Sequence, residues 1–146
     1  MGAFLRSIFG VIIGLFVAIL IISLVDYLSH VLFPLPAGVN PTDADQLRAA
    51  VGQIPVTAFL LMILGWGVGS FLGAWLAGRI AGRNPLIHGL VVTVILMITG
   101  IANMIMLPHP IWVWALGILA FLGCGYLGAK LSARTRAFTA QPVLNS

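Results

Sequence analysis

The chain has 146 residues, of which 61% are hydrophobic and 7% are charged, and its seven Lys and Arg outnumber three Asp, with no Glu. A soluble domain is about 45–50% apolar and about 25% charged, so this composition excludes a soluble globular domain and a disordered chain and points to a protein whose solvent is lipid. The net charge of +4 is thinly spread and lacks the dense basic and aromatic interleaving of a nucleic-acid surface, so no nucleic-acid partner is expected.

A span needs about 20 mostly apolar residues to cross a hydrocarbon core about 30 Å thick. The first runs from about Ile8 to Phe33 and stops at Pro34-Leu35-Pro36. With Arg6 ahead of it, this segment resembles a signal peptide. Its apolar core is too long for that, however, and no small-residue cleavage site follows, so it is expected to stay as a helix. Asp26 is the only acidic residue inside a predicted span. Ser23, Asp26, Tyr27 and His30 share a face by helical spacing, and Asp26 and His30, four apart, are within reach of each other.

The connection from about Pro34 to Ile54 contains Thr42-Asp43-Ala44-Asp45 ahead of Gln46-Leu47-Arg48-Ala49-Ala50-Val51. This has the form of a capping box and predicts a short helix lying along the membrane surface. The second span runs from about Pro55 to Gly78, with Pro55 suited to a first helical turn. The third runs from about Leu86 to Leu107, opened by Asn84 as cap and Pro85 as first-turn residue. On its outer half Thr99 and Asn103 make a polar pair, with His109 just beyond. The short Pro108-His109-Pro110 link makes the third and fourth spans antiparallel neighbours, and the fourth runs from about Ile111 to Leu131. The chain is therefore read as one all-α domain of four transmembrane helices, since backbone groups in lipid must be satisfied within each segment.

If the four helices alternate, Arg6, Arg79, Arg83, Lys130, Arg134 and Arg136 fall on one side, and Arg48 falls on the other beside Asp43 and Asp45. The positive-inside rule then places both termini in the cytoplasm, with Arg79, Arg83, Lys130 and Arg134 as topology anchors. These cations are also able to meet anionic lipid headgroups. Trp112 and Trp114 are expected at the outer interface, Trp75 and Tyr126 near the inner one, and Trp66 in packing near mid-span.

The second and fourth spans end alike, Phe71-Leu72-Gly73-Ala74-Trp75 through Arg79 and Arg83 against Phe121-Leu122-Gly123-Cys124-Gly125-Tyr126 through Lys130 and Arg134. The odd spans end in Phe33-Pro34-Leu35-Pro36 and Leu107-Pro108-His109-Pro110. This predicts two helical hairpins as parallel repeats about an axis along the membrane normal; the alternative is that Gly/Ala-rich helices with basic ends look alike. Small residues recur every four positions: Gly65, Gly69, Gly73, Ala77 and Ala81; Ser70, Ala74, Gly78 and Gly82; Ala120, Cys124, Gly128 and Ser132; Gly125, Ala129 and Ala133. Such rows let backbones approach closely, either between two copies of the chain or within one, where the second helix would meet the fourth.

An ionisable residue within a span is a functional candidate by default. Asp26, His30, Asn103 and His109 are expected to converge on one outward-facing polar pocket. Three chemistries fit it: proton exchange at Asp26 with His30 as modulator, a divalent metal on two imidazoles and a carboxylate, or hydrogen bonding to a quinone or lipid headgroup. The alternative is an interfacial Asp–His pair that solvates the helix end, because Asp26 lies about 27 Å along the helix from Ile8. The lone Cys124 excludes an intrachain disulfide and a multi-cysteine metal site. No metalloprotease helix, phosphate-binding loop or nucleophile elbow occurs, so an enzyme is not expected, nor a cofactor.

The stretch Gly73-Ala74-Trp75-Leu76-Ala77-Gly78-Arg79-Ile80-Ala81-Gly82-Arg83, followed by His88-Gly89, resembles small four-span bacterial membrane proteins of unknown function. That resemblance implies four helices and a bacterial cytoplasmic (inner) membrane, and it supplies no activity. The leading expectation is a non-enzymatic membrane protein that packs through its Gly/Ala rows as a homo-oligomer or as part of a larger membrane complex. A small transporter or channel using Asp26 and His30 comes next, then a lipid- or quinone-handling enzyme or subunit.

Overall fold

The computed structural model describes residues 2–40, 42–107 and 109–139. Pro108, and the side chain of Arg136 among the basic residues expected on one side, lie outside the described set. The chain is all-helical: α1 (Gly2–Leu32), α2 (Ala44–Ala50) continued by a 3-10 turn (Val51–Gln53), α3 (Val56–Ala81), α4 (Pro85–Met106) and α5 (Ile111–Thr139). Four of these are long and apolar enough to cross a membrane. Two run past the apolar limits read from the sequence. α1 starts at Gly2 rather than near Ile8, and α5 continues to Thr139 rather than ending near Leu131. The segments 2–7 and 132–139 contain no proline, and their only glycine is Gly2 at the start, so nothing in them ends a helix where the apolar run ends.

The caps follow the expected chemistry with shifts of one residue. Asp43, not Thr42, caps α2: its Oδ1 accepts from the backbone N–H of Asp45 at 3.0 Å and of Gln46 at 3.1 Å. Gln46 Nε2 donates back to Asp43 Oδ2 at 2.9 Å. Pro55 holds the N-cap position of α3 rather than its first turn. α3 ends at Gly82, whose φ of 78° lies in the left-handed region that glycine enters without steric cost. Asn84 stands at the N-cap of α4 with φ 43°, but its side chain caps nothing. Its carbonyl takes the load instead, accepting from the N–H of Ile87 and His88 and from His88 Nδ1.

α3 is the hub, packed against α1, α4 and α5. Its small residues explain how one helix serves three neighbours. The row Gly65, Gly69, Gly73, Ala77, Ala81 faces α1. A Cβ at Gly73 would lie 2.6 Å from the carbonyl oxygen of Gly14, and one at Gly14 would lie 2.6 Å from that of Gly73. α1 meets this row with its own small residues, buried Gly10, Gly14 and Ala18, and presents large side chains elsewhere. The sequence reading assigned no partner row to α1 and paired α3 with the last helix alone.

The second row of α3 does meet α5. Gly78 closes on Ser132, and Ser70 Oγ donates to the Phe121 carbonyl at 3.0 Å. Gly67 faces Cys124 and Ala120, and Gly128 sits on the backbone of Phe71. The remaining row of α5 serves α4, with Gly125 against Thr93 and Ala129 against Gly89. In lipid such contacts rest on dispersion between closely approaching backbones rather than on a hydrophobic force. The small-residue rows are thus filled within the chain.

Candidate functional site

Helix direction sorts the polar residues to two ends. At one end, Arg6 on α1 donates from Nε to the Ile80 carbonyl at 2.6 Å, tying the start of α1 to the end of α3. Arg79 lies over the Trp75 ring at 5.8 Å and Lys130 over Tyr126 at 5.5 Å, both cation–π distances. Arg79 and Lys130, two of the four expected anchors, are engaged in this way.

At the opposite end a cavity of about 260 Å³ opens between α1, α3, α4 and the connection that carries α2. α1 and its exit give it Asp26, Ser29, His30 and Phe33; the connection gives Leu35, Leu47, Val51 and Ile54. Ala58, Phe59 and Met62 come from α3, Asn103 and Leu107 from the end of α4, and His109 from the turn into α5. All four residues singled out from the sequence, Asp26, His30, Asn103 and His109, therefore line one space although they lie on three separate segments. Asp26 is six residues short of the end of α1 at Leu32, or about 9 Å of helix rise, which sets the cavity near the end of the bundle and not at its middle.

The polar atoms of this cavity are largely unused by the protein. His30 Nδ1 lies 2.8 Å from the backbone carbonyl of Asp26, and His109 Nδ1 lies 2.8 Å from that of Leu107. A carbonyl only accepts, so each Nδ1 is the donor of its bond. The expected contact between Asp26 and His30 thus runs through the Asp26 backbone. Among the described residues, the Asp26 carboxyl and the Asn103 amide make no hydrogen bond or ion pair with the protein. The ion pair that is formed, Arg48 with Asp45 at 3.0 Å, lies on the exposed face of α2. Among the described residues no three His, Cys, Asp or Glu side chains are grouped to hold a metal ion, so the metal reading has no site here.

His109 is held by rings. Its imidazole lies 6.3 Å from Phe59, edge-on, and 6.2 Å from Trp66. Trp66 stacks on Phe121 at 5.3 Å, and Phe59 meets Trp112 edge-on at 5.8 Å. Space for the Trp66–Phe121 stack comes from Gly100 and Gly117, where a Cβ would strike Phe121 and Trp66 respectively. Trp66 is thus in packing, as expected, and Trp112 stands at the cavity end. Trp66, Phe121 and Met104 are 3%, 2% and 2% exposed and fill the bundle below the cavity.

Ser23 and Tyr27 do not line the cavity; both are exposed, Tyr27 at 69%. Thr99 turns its hydroxyl back to the Ile95 carbonyl at 2.9 Å. Ser29 takes their place, buried and with Oγ 3.4 Å from the Ala58 carbonyl. The cavity face of α1 is thus Asp26, Ser29, His30 and Phe33, at helical spacings of three, four and seven. Comparison with protein-family models, with characterised proteins and with solved structures gives no match for this chain.

Proposed function

We propose that this chain is a small, non-enzymatic membrane protein that binds a small molecule in the cavity at Asp26, His30, Asn103 and His109, as a binding subunit or the binding half of a transport cycle. The observation that carries this reading is the convergence of four polar side chains from three segments on one apolar-walled space. A pocket combining apolar walls with a few convergent polar groups is the usual form of a ligand site. The packed Trp66, Phe121 and Met104 below the cavity favour a closed site over an open channel.

The same proposal places the protein in a bacterial cytoplasmic membrane, with both termini and the basic end on the cytoplasmic side and the cavity facing out. Kinship with small four-span bacterial membrane proteins is part of it. So is descent from two repeated hairpins, supported by the matching pairs Trp75 with Arg79 and Tyr126 with Lys130, each four residues apart at the basic end. A larger membrane complex, or a homo-oligomer joined through faces other than the small-residue rows, is compatible with it.

Native mass spectrometry of protein extracted gently from its own membranes tests the binding. The wild-type chain is expected to carry a small-molecule adduct that Ala58→Phe, which fills the cavity from α3, removes. A wild-type chain without adduct, or one whose adduct survives in Ala58→Phe, overturns the reading.

A further inference from the structure

We infer that the occupant of this cavity is a small organic ammonium with an apolar, preferably aromatic, body; this rests on the reading of the cavity as a ligand site. The first argument is the sign of its polar groups. Asp26 offers a carboxyl that accepts no hydrogen bond from the described residues, and the Nδ1–H groups of His30 and His109 are already spent on backbone carbonyls. An ammonium group supplies up to three N–H donors and the charge opposite to a carboxylate, and charge-assisted hydrogen bonds of this kind are the strong ones.

The second argument is what the lining omits. Among the described residues, no Lys or Arg borders the cavity. Arg6, Arg79 and Lys130 lie at the far end of the bundle, and Arg48 is paired with Asp45 on the exposed face of α2. A phosphate or carboxylate head would find no Lys or Arg there and would lie beside the Asp26 carboxyl, whereas an ammonium is drawn to it. The third argument is the wall: Phe33 and Phe59 belong to the lining, which suits a cation with an apolar, aromatic body. The volume, about 260 Å³, lies just under the roughly 300–1,000 Å³ of drug-sized sites and suits a single-ring molecule.

Three probes with the same phenyl body separate the possibilities: 2-phenylethylammonium, 2-phenylethanol and 3-phenylpropionate, titrated calorimetrically into the full chain in phosphatidylglycerol nanodiscs. The ammonium is expected to bind about 10- to 100-fold more tightly than the alcohol, the range that one charged hydrogen bond supplies, and the propionate not measurably. Asp26→Asn is expected to bring the ammonium down to the level of the alcohol while leaving alcohol binding unchanged, which also reports that the variant is folded. Repeating the titration in phosphatidylethanolamine nanodiscs identifies the source. Weakened ammonium binding there means that a lipid headgroup ammonium competes for the site, and unchanged binding means that the natural ligand is a free amine.

Alcohol binding equal to that of the ammonium, or binding of the propionate, overturns the ammonium assignment and leaves the cavity as a ligand site. Absence of binding by all three probes also overturns the assignment. Ammonium binding that is the same in Ala58→Phe as in the wild type places the site elsewhere and overturns both readings.

Discussion

Replacing Gly14 by alanine sets a methyl group against the backbone of α3. The new carbon would lie 2.6 Å from the Gly73 carbonyl oxygen and 2.8 Å from the Ala77 Cβ, roughly 0.9 Å inside the separation of about 3.5 Å at which heavy atoms attract best. Neither neighbour is the free end of a flexible side chain, so relief must come from moving α1 away from α3. Overpacking of this kind costs about 1–3 kcal/mol. Gly73→Ala strains the same crossing from the other side, 2.6 Å from the Gly14 carbonyl oxygen and 2.7 Å from the Ala18 Cβ. Once one substitution has parted the helices the second meets less resistance, so the pair should cost less than the sum, with a coupling of about 0.5–3 kcal/mol. The assay is denaturation of the purified chain in detergent, followed by tryptophan fluorescence. Gly123→Ala is the control, because nothing lies within 4 Å of a Cβ there, and it also reads the helix-propensity gain of about 1 kcal/mol that any Gly→Ala brings. If Gly14→Ala unfolds no more easily than Gly123→Ala, or if the two strained variants simply add, the backbone-to-backbone seam between α1 and α3 does not hold these helices together.

Gly82→Ala should destabilise the bundle by about 1–2 kcal/mol, the cost of a left-handed backbone for a residue with a Cβ, since φ is 78° and the Arg6 guanidinium carbon would lie 2.9 Å away; an unchanged melting temperature would count against the tight turn. Asp43→Ala removes the acceptor of two backbone N–H groups. It should speed amide hydrogen exchange over residues 45–50 by about 2- to 30-fold, equivalent to the loss of about 0.5–2 kcal/mol for an N-cap. Melting of the four long helices should not change.

The four long helices were legible because apolar length is a direct consequence of lipid as solvent. Their true ends were not, because a helix stops at a cap or a breaker and not where its side chains become polar. The meeting of Asp26, His30, Asn103 and His109 was also legible, since each lies near the same end of its helix by counting rise per residue. On α1, polarity alone suggests Ser23 and Tyr27 as neighbours of Asp26 in the site, but both are exposed. The inward direction is set instead by the small row Gly10, Gly14 and Ala18, and Ser29 belongs to the buried side that this row begins. That row was visible in the sequence but masked by the large apolar residues around it. The ring cluster that seats His109 joins residues from 59 to 121, a distance over which no local spacing rule operates.

The connection that roofs the cavity is self-contained. Its hydrogen bonds run between its own residues, Asp43 with Gln46, Asn40 with Gln46 and Thr42, Asp45 with Arg48, and among the described residues none reaches across to the four long helices. The roof is therefore a preformed cover laid on the cavity by Leu35, Leu47, Val51 and Ile54. Among the described residues no hydrogen bond would break if it lifted, and whether the mouth stands open depends on where four aliphatic side chains meet the least water. Detergent, lipid tails or the body of an entering guest would each serve them as well as the bundle does.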